Sequence, residues 1–555
     1  MPAIALRDTM QALFASAQSC LDRQVDRPGH PDHGGPMNPN WGIVEPSGGI
    51  GVVATLNLAL IARRLRPELV PVSPLDEELL VGAKAATEYL LRMQRPSGFT
   101  DLMDCNYDSS PDAGFAVQAL CPVLELGARI AGAAPDLQAL LAQVETFCRR
   151  ATEGMRTGGF HTPNHRWVIA AALARAGRLF PDIDVRPTID AYLAEGIDAD
   201  EEGFFIERSA GVYDAICDRS LLMIWEAVGH EPSRDAARRN LDLGLQLLNA
   251  DGTTETGLSR RQDYGQRSVP PALSLAYLMG HRVHPDPRYL AAAQLLWDRG
   301  RGDGAGLAAF MLAANVDRIE TPSGVFPYDY ASLFPANGLW RYRRGDLSVS
   351  LFRDVTRLLT LTYGEAEVAA LKISQSYFGV GNFRADNLAL VDGQPVLTSS
   401  GVQITHRPGY DQPTGQPVAR TTFYTHRGQR DWRQLPACAS ELSLVPDDDG
   451  VVLRYRTLAG FPGVTAQMAF DFAPGGQWET ADTCLRPLAG QVLFLKQGRG
   501  AMRYGHHVVE IDGGAAAHRM WAMRDAETAP AHVRILLTFT TPVDHTVRVR
   551  VRREP

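Results

Sequence analysis

The sequence predicts an α+β chain of two domains, an all-α N-terminal part followed by an antiparallel β-sandwich. Three observations carry that reading. Through roughly the first 330 residues, apolar positions recur at three- and four-residue spacing in one segment after another. From about Leu339 the period drops to two and turn residues punctuate short segments. At 555 residues and 45% hydrophobic content, the chain is also ample for more than one core. Helices followed by strands, rather than alternating with them, imply separate domains. The boundary is expected between residues 335 and 336.

Taken in order, "MPAIALRDTMQALFASAQSCLDRQ" reads as an amphipathic helix and not as a signal peptide. Helices are expected in "LDEELLVGAKAATEYLLRMQ", "AGFAVQALCPVLELGARIAG", "DLQALLAQVETFCRRATEG", "HRWVIAAALARAGRLF", "DAICDRSLLMIWEAVG", "SRDAARRNLDLGLQLLN" and "DPRYLAAAQLLWDRG". Asp112, Asn164 and Ser233 stand where helix caps belong. "GLWRYRRGDLSVSLFRD" predicts a hairpin about Arg344–Asp346. Strands are expected in "RLLTLTYG", "GVVLRYRTL", "VTAQMAFDFAP", "QVLFLKQ", "MRYGHHVVEIDG", "HVRILLTFTTP" and "HTVRVRVRRE". The last sets Val547, Val549 and Val551 on one face and Arg548, Arg550 and Arg552 on the other.

Composition narrows the functional classes. Net charge is -8 and no long basic block occurs, so nucleic acid and anionic membranes are not expected partners. No apolar run reads as a transmembrane helix. Seven cysteines, an odd number without CxxC spacing, suggest reduced thiols and a cytoplasmic protein. Oligomeric state is not legible.

Chemistry-bearing residues gather in loops that lead into helices. "GGFHTPNHRW" holds His161, Asn164, His165 and Arg166 at a helix N-terminus, a place that favours negative charge on a ligand. "DEEGFFIERSAGVYDAICDRSLL" holds Glu207, Arg208, Ser209, Tyr213, Asp214, Asp218 and Arg219. "DGTTETGLSRRQDYGQRSVPP" holds Arg260, Arg261, Asp263, Tyr264 and Arg267. Asn106 and Trp41 lie in two further polar, aromatic loops. In a ring of helices such loops meet at one end, where Trp and Tyr stack on sugars while Arg and Asn bind hydroxyls and carboxylates. His406, His426, His506 and His507 leave a structural metal in the β-part conceivable. The adjacent pair would point to opposite faces of one strand, however, and no metal is assigned.

These segments resemble polysaccharide lyases built from an (α/α) toroid, an incomplete helical barrel, followed by a β-sandwich (the heparinase II/III-like and toroidal alginate lyases). "PNHRW" resembles their Asn-Asn-His-Gly/Ser-x-Trp helix entry through Asn164, His165 and Trp167, with Trp167 one residue closer to the His than in that pattern. "EGFFIERSAGVYDA" matches their Glu-Ser-Tyr segment through Glu207, Ser209 and Tyr213. Pro163 stands where the family has a first Asn, Glu202 where it has Asp, and no His follows Tyr213.

The resemblance implies β-elimination on an acidic oligo- or polysaccharide without a cofactor. Asn164 would neutralise a uronate carboxylate, helped by Arg166 or Arg219. Tyr213 would serve as acid and His165 or Tyr213 as base. A cation beside Tyr213 is expected from Arg208, Arg219 or His165. The implied substrate contacts are His161, Arg166, Glu207, Arg208, Asn106, Trp41, Arg260, Arg261 and Tyr264. Two alternatives remain at this level. One is a toroidal glycoside hydrolase using two of Glu207, Asp214, Asp218, Asp251 and Glu255. The other is a non-catalytic carbohydrate-binding protein.

Overall fold

The computed structural model describes residues 3–130, 135–300, 303–376, 381–401, 413–423, 425, 436–524 and 526–555. His406 and His426 lie outside the described residues. The chain divides into two compact units. The first comprises Met1–Leu248 and Gly252–Phe326, and the second Pro327–Pro555 with Asn249–Asp251. The division falls before residue 336 because Tyr330–Phe334 is itself a strand, paired along its length with Leu339–Arg344.

Among its described residues the first unit holds twelve α-helices. They are α1 (Leu6–Arg23), α2 (Pro46–Leu65), α3 (Asp76–Met93), α4 (Ser110–Gly127), α5 (Pro135–Thr157) and α6 (Pro163–Leu179). The remaining six are α7 (Arg186–Ala194), α8 (Tyr213–Val228), α9 (Glu231–Leu247), α10 (Ala272–Val283), α11 (Pro287–Gly300) and α12 (Gly304–Ala314). The even-numbered helices pack in succession, α2 on α4, α4 on α6, α6 on α8 and α8 on α10. Each odd-numbered helix from α3 to α11 lies against the one before it, and α12 returns to α1. This is an (α/α) toroid.

Sequence sorts the two rings. Helix α6 buries every residue from Trp167 to Ala174, so its alanines allow close approach on all sides. Helix α9 buries one stripe that includes Ala236, Ala237, Asn240 and Leu241. Helix α2 corrects one expectation: by length and composition it is apolar enough to cross a membrane. It is nevertheless a core helix here, 61% buried among its neighbours. Helix α4 is capped by Ser109, whose hydroxyl accepts from the Asp112 amide, rather than by Asp112.

The second unit is a sandwich of an eight-stranded and a nine-stranded sheet. Val349, Leu361, Leu371, Phe470 and Ile535 of one sheet share a core with Leu453, Tyr455, Val509, Val547 and Val549 of the other. The alternation at the C-terminus places Val547, Val549 and Val551 in that core. The sheets are not wholly antiparallel, since Val492–Phe494 runs parallel to Arg534–Leu536. The adjacent histidines do not share a strand. Residues 505 and 506 form a hairpin turn, and His507 pairs with Tyr504 across it. His506 Nδ1 contacts the Pro555 carbonyl at 2.9 Å, and the His507 ring meets Tyr363 edge-on at 5.6 Å.

Candidate active site

The site starts at the N-terminus of α6. Pro163 occupies its first turn, and Thr162 is the cap residue, without a side-chain capping bond. Asn164 is therefore inside the helix and is not its cap. Its side chain is 1% exposed and reaches across to Glu207, with Nδ2 at 3.0 and 2.8 Å from the two carboxylate oxygens. The oxygens of one carboxylate subtend a much smaller angle than the spread of an amide's two N–H bonds. Both bonds therefore fall on one side of Nδ2, and Asn164 Oδ1 is buried with no hydrogen-bond partner among the described residues. Burial pushes the Glu207 carboxyl up, opposed by Asn164 and Arg261. Asn164→Ala removes the donor to a buried carboxylate, so we expect a loss of about 1–3 kcal/mol in denaturant unfolding. No helix cap is lost in that variant.

One residue further on, His165 Nδ1 lies 2.9 Å from the Thr162 hydroxyl. Burial, then the charge of Arg261, then His161, hold this imidazole down to about 4. It is neutral at physiological pH, with Nε2 as its remaining ring nitrogen. It is thus not the cation expected beside Tyr213.

That cation is Arg261. Its Nη1 lies 3.4 Å from Glu207 Oε1 and its Nη2 donates to Tyr213 Oη at 3.3 Å. The guanidinium also covers the Tyr213 ring, 4.7 Å from the centroid. Gln262 Nε2 donates to the same phenol oxygen at 3.0 Å. Tyr213 opens α8, immediately after the loop that carries Glu207. Asn164, Glu207, Arg261 and Tyr213 thus form one connected group drawn from three separate stretches of chain, with His165 next to Asn164 in sequence and within reach of the Arg261 charge.

No protein-family model and no curated protein matches the sequence. Solved structures do. A xanthan lyase from Paenibacillus superposes with a TM-score of 0.57 at 10% identity, over 98% of this chain and 56% of its own. A heparan sulfate lyase from Pedobacter heparinus gives 0.50 at 11% identity, over 98% and 83%. A chondroitinase AC lyase gives 0.50 at 9% identity, over 99% and 82%. This chain has the polysaccharide-lyase fold. The toroid and the sandwich expected from its motifs are both present, although almost none of the sequence is shared.

Other residues expected at the candidate site are placed as follows. Arg166 stacks on Trp167 at 4.7 Å and bonds Glu195 and Asp198 at 3.1 and 3.3 Å. Arg219 lies six positions beyond Tyr213, about 240° around the helix, and pairs with Asp303 at 3.4 Å. The His161 ring meets Tyr192 edge-on at 5.2 Å. Arg208 adopts a left-handed backbone (φ 52°) that turns the chain between Glu207 and Ser209. Arg260 donates its backbone N–H to the Glu207 carbonyl at 3.0 Å and its side chain to the Ile206 carbonyl. Tyr264 is 44% exposed, and its N–H bonds the Arg261 carbonyl. Trp41 is 54% exposed in a turn before α2, and Asn106 opens a short strand before α4. Among the described residues, neither has a hydrogen bond or ring contact with the Asn164–Tyr213 group.

Gln262 went unnamed in the sequence reading, and Asp263 was singled out in its polar stretch without a role. Behind the site, burial pushes the Asp214 carboxyl up to about 7, opposed by its bond from Asn240. A raised carboxyl stabilises the fold fully below its ordinary value near 3.8, and that contribution is lost as pH rises through about 7. Asp214→Asn removes this titration. Measured by thermal melts, its stability relative to the native chain should rise by as much as about 2.5 kcal/mol between pH 5 and pH 8.

Proposed function

We propose that this protein cleaves uronate-containing oligo- or polysaccharides by β-elimination. The observation that carries the reading is the Tyr213 hydroxyl bonded by both Arg261 and Gln262, with Arg261 joined through Glu207 to the Asn164 amide beside a neutral His165. Two donors occupy the acceptor side of the phenol oxygen, so its own proton is free to be given away. The same two donors stabilise the charge left behind.

Elimination needs three things at C4 and C5 of a uronate. The carboxylate must be held by donors, because the intermediate gathers negative charge next to it. The Asn164 amide and the Arg261 guanidinium, which share Glu207, fill this role. A base must take the C5 proton, and His165 is the neutral group available. A substrate carboxylate on Arg261 also offsets one of the two charges that weaken this imidazole as a base. The C5–H electron pair then forms the C4–C5 double bond, the C4–O4 bond breaks, and Tyr213 protonates O4.

Hydrolysis is less well supported. Glu207, the carboxylate within the group, is held by both Asn164 and Arg261. The test is incubation with a panel of uronate oligosaccharides, including heparan-, chondroitin- and alginate-type chains. Elimination creates a conjugated C4–C5 double bond that absorbs in the ultraviolet. New reducing ends without that absorbance would mean hydrolysis and would overturn the proposal.

A further inference from the structure

We propose that Asp263 is the positioning residue of this site. Its buried carboxylate fastens the loop that presents Arg261 and Gln262 to the loop that leads into Tyr213. This rests on the reading of Tyr213 as the reacting group.

Asp263 is 3% exposed and spans two segments more than fifty residues apart. Its Oδ1 accepts from the Ser209 hydroxyl at 2.9 Å and from the Ser259 hydroxyl. Its Oδ2 accepts from the Gly211 amide at 3.0 Å. Ser209 passes the constraint on, because its oxygen also accepts the Tyr213 backbone N–H at 3.3 Å. On the other side of Asp263, the two preceding residues are the two donors to Tyr213 Oη. One carboxylate thereby fixes both the start of the tyrosine's helix and the loop holding its hydrogen-bond donors. Gly211 belongs to the same device: a Cβ there would sit 2.9 Å from Asp263 Oδ2.

The chemistry of the three donors explains why a carboxylate is needed. Two hydroxyls and an amide all give hydrogen bonds, so the partner must accept at least three, and a carboxylate has the lone pairs to do so. An amide in its place turns one oxygen into a donor facing donors. A merely structural Asp would stabilise the loop without affecting Tyr213.

Asp263→Asn separates these cases, with Ser209→Ala as a milder variant that cuts only the arm to the tyrosine backbone. Two measurements are made on the full chain. One is the NMR resonance of the Tyr213 ring Cζ in protein carrying 13C-labelled tyrosine, assigned by its disappearance in Tyr213→Phe. The other is the split of kcat and KM on any uronate substrate that gives the ultraviolet product. Both variants should move the Tyr213 resonance towards that of solvent-exposed tyrosine. Turnover should fall about 100-fold, as expected for a small misplacement of a reacting group, with KM changed little. A Tyr213 resonance that stays in place in folded Ser209→Ala, with unchanged kcat, overturns the proposal. If the resonance moves in both variants but no uronate is eliminated by the native chain, the reading of the reaction fails while the positioning role stands.

Discussion

Tyr213→Phe is expected to abolish turnover while leaving the fold intact. The phenylalanine ring keeps its place at the start of α8 and still lies beneath the Arg261 guanidinium, which stacks on the ring face. Only the oxygen is lost, and with it the proton for the leaving group. General acid catalysis by a positioned side chain contributes about 10²–10⁴-fold. We therefore expect ultraviolet product formation to drop by about 10²–10⁴-fold, with a melting temperature close to that of the native chain. Retained turnover with native stability would place the acid on another residue.

Arg261→Ala should be nearly as damaging, and for more than one reason. It removes a donor to Tyr213 Oη, the cation nearest Glu207 and the charge proposed to hold the substrate carboxylate. Loss of a single donor aimed at developing charge costs about 10²–10³-fold, so a residue with this many roles should exceed that range in kcat/KM. Arg261→Lys makes the prediction sharper. A lysine keeps the charge but not the forked reach to both Glu207 and Tyr213. It should recover substrate binding better than turnover, seen as a KM closer to native than kcat. Equal and small losses in both constants would mean that Arg261 acts through charge alone.

The fold was legible because each level of pattern agreed with the next. Helical spacing in "HRWVIAAALARAG" and strict alternation in "HTVRVRVRRE" both follow from local geometry, and both segments form the expected elements. The parallel pairing of Val492–Phe494 was not legible, since strand direction depends on what lies beside it. The site was legible in its parts more than in its connections. Asn164, Glu207, Tyr213 and Arg261 were each singled out in the sequence, and hydrogen bonds and an ion pair join them, while His165 touches Thr162 and Phe115. The bond from Asn164 to Glu207 spans 43 positions and that from Gln262 to Tyr213 spans 49. No local pattern encodes which loops of a ring come to lie side by side. Arg166 and Arg219 show the opposite failure. Nearness in sequence suggested that they face the cleft, but helix geometry turns them to Asp198 and Asp303.

The contact of α12 with α1 also bears on how the first unit comes apart. Ala3–Ala5 pairs antiparallel with Arg318–Glu320, and Arg66 grips Asp317 beside that pair. An open array of helix pairs loses its terminal repeat first, because that repeat has a neighbour on one side only. Here the first and last helices are each other's neighbours. No end is left from which the stack can peel, so the unit should melt as a single cooperative body rather than pair by pair.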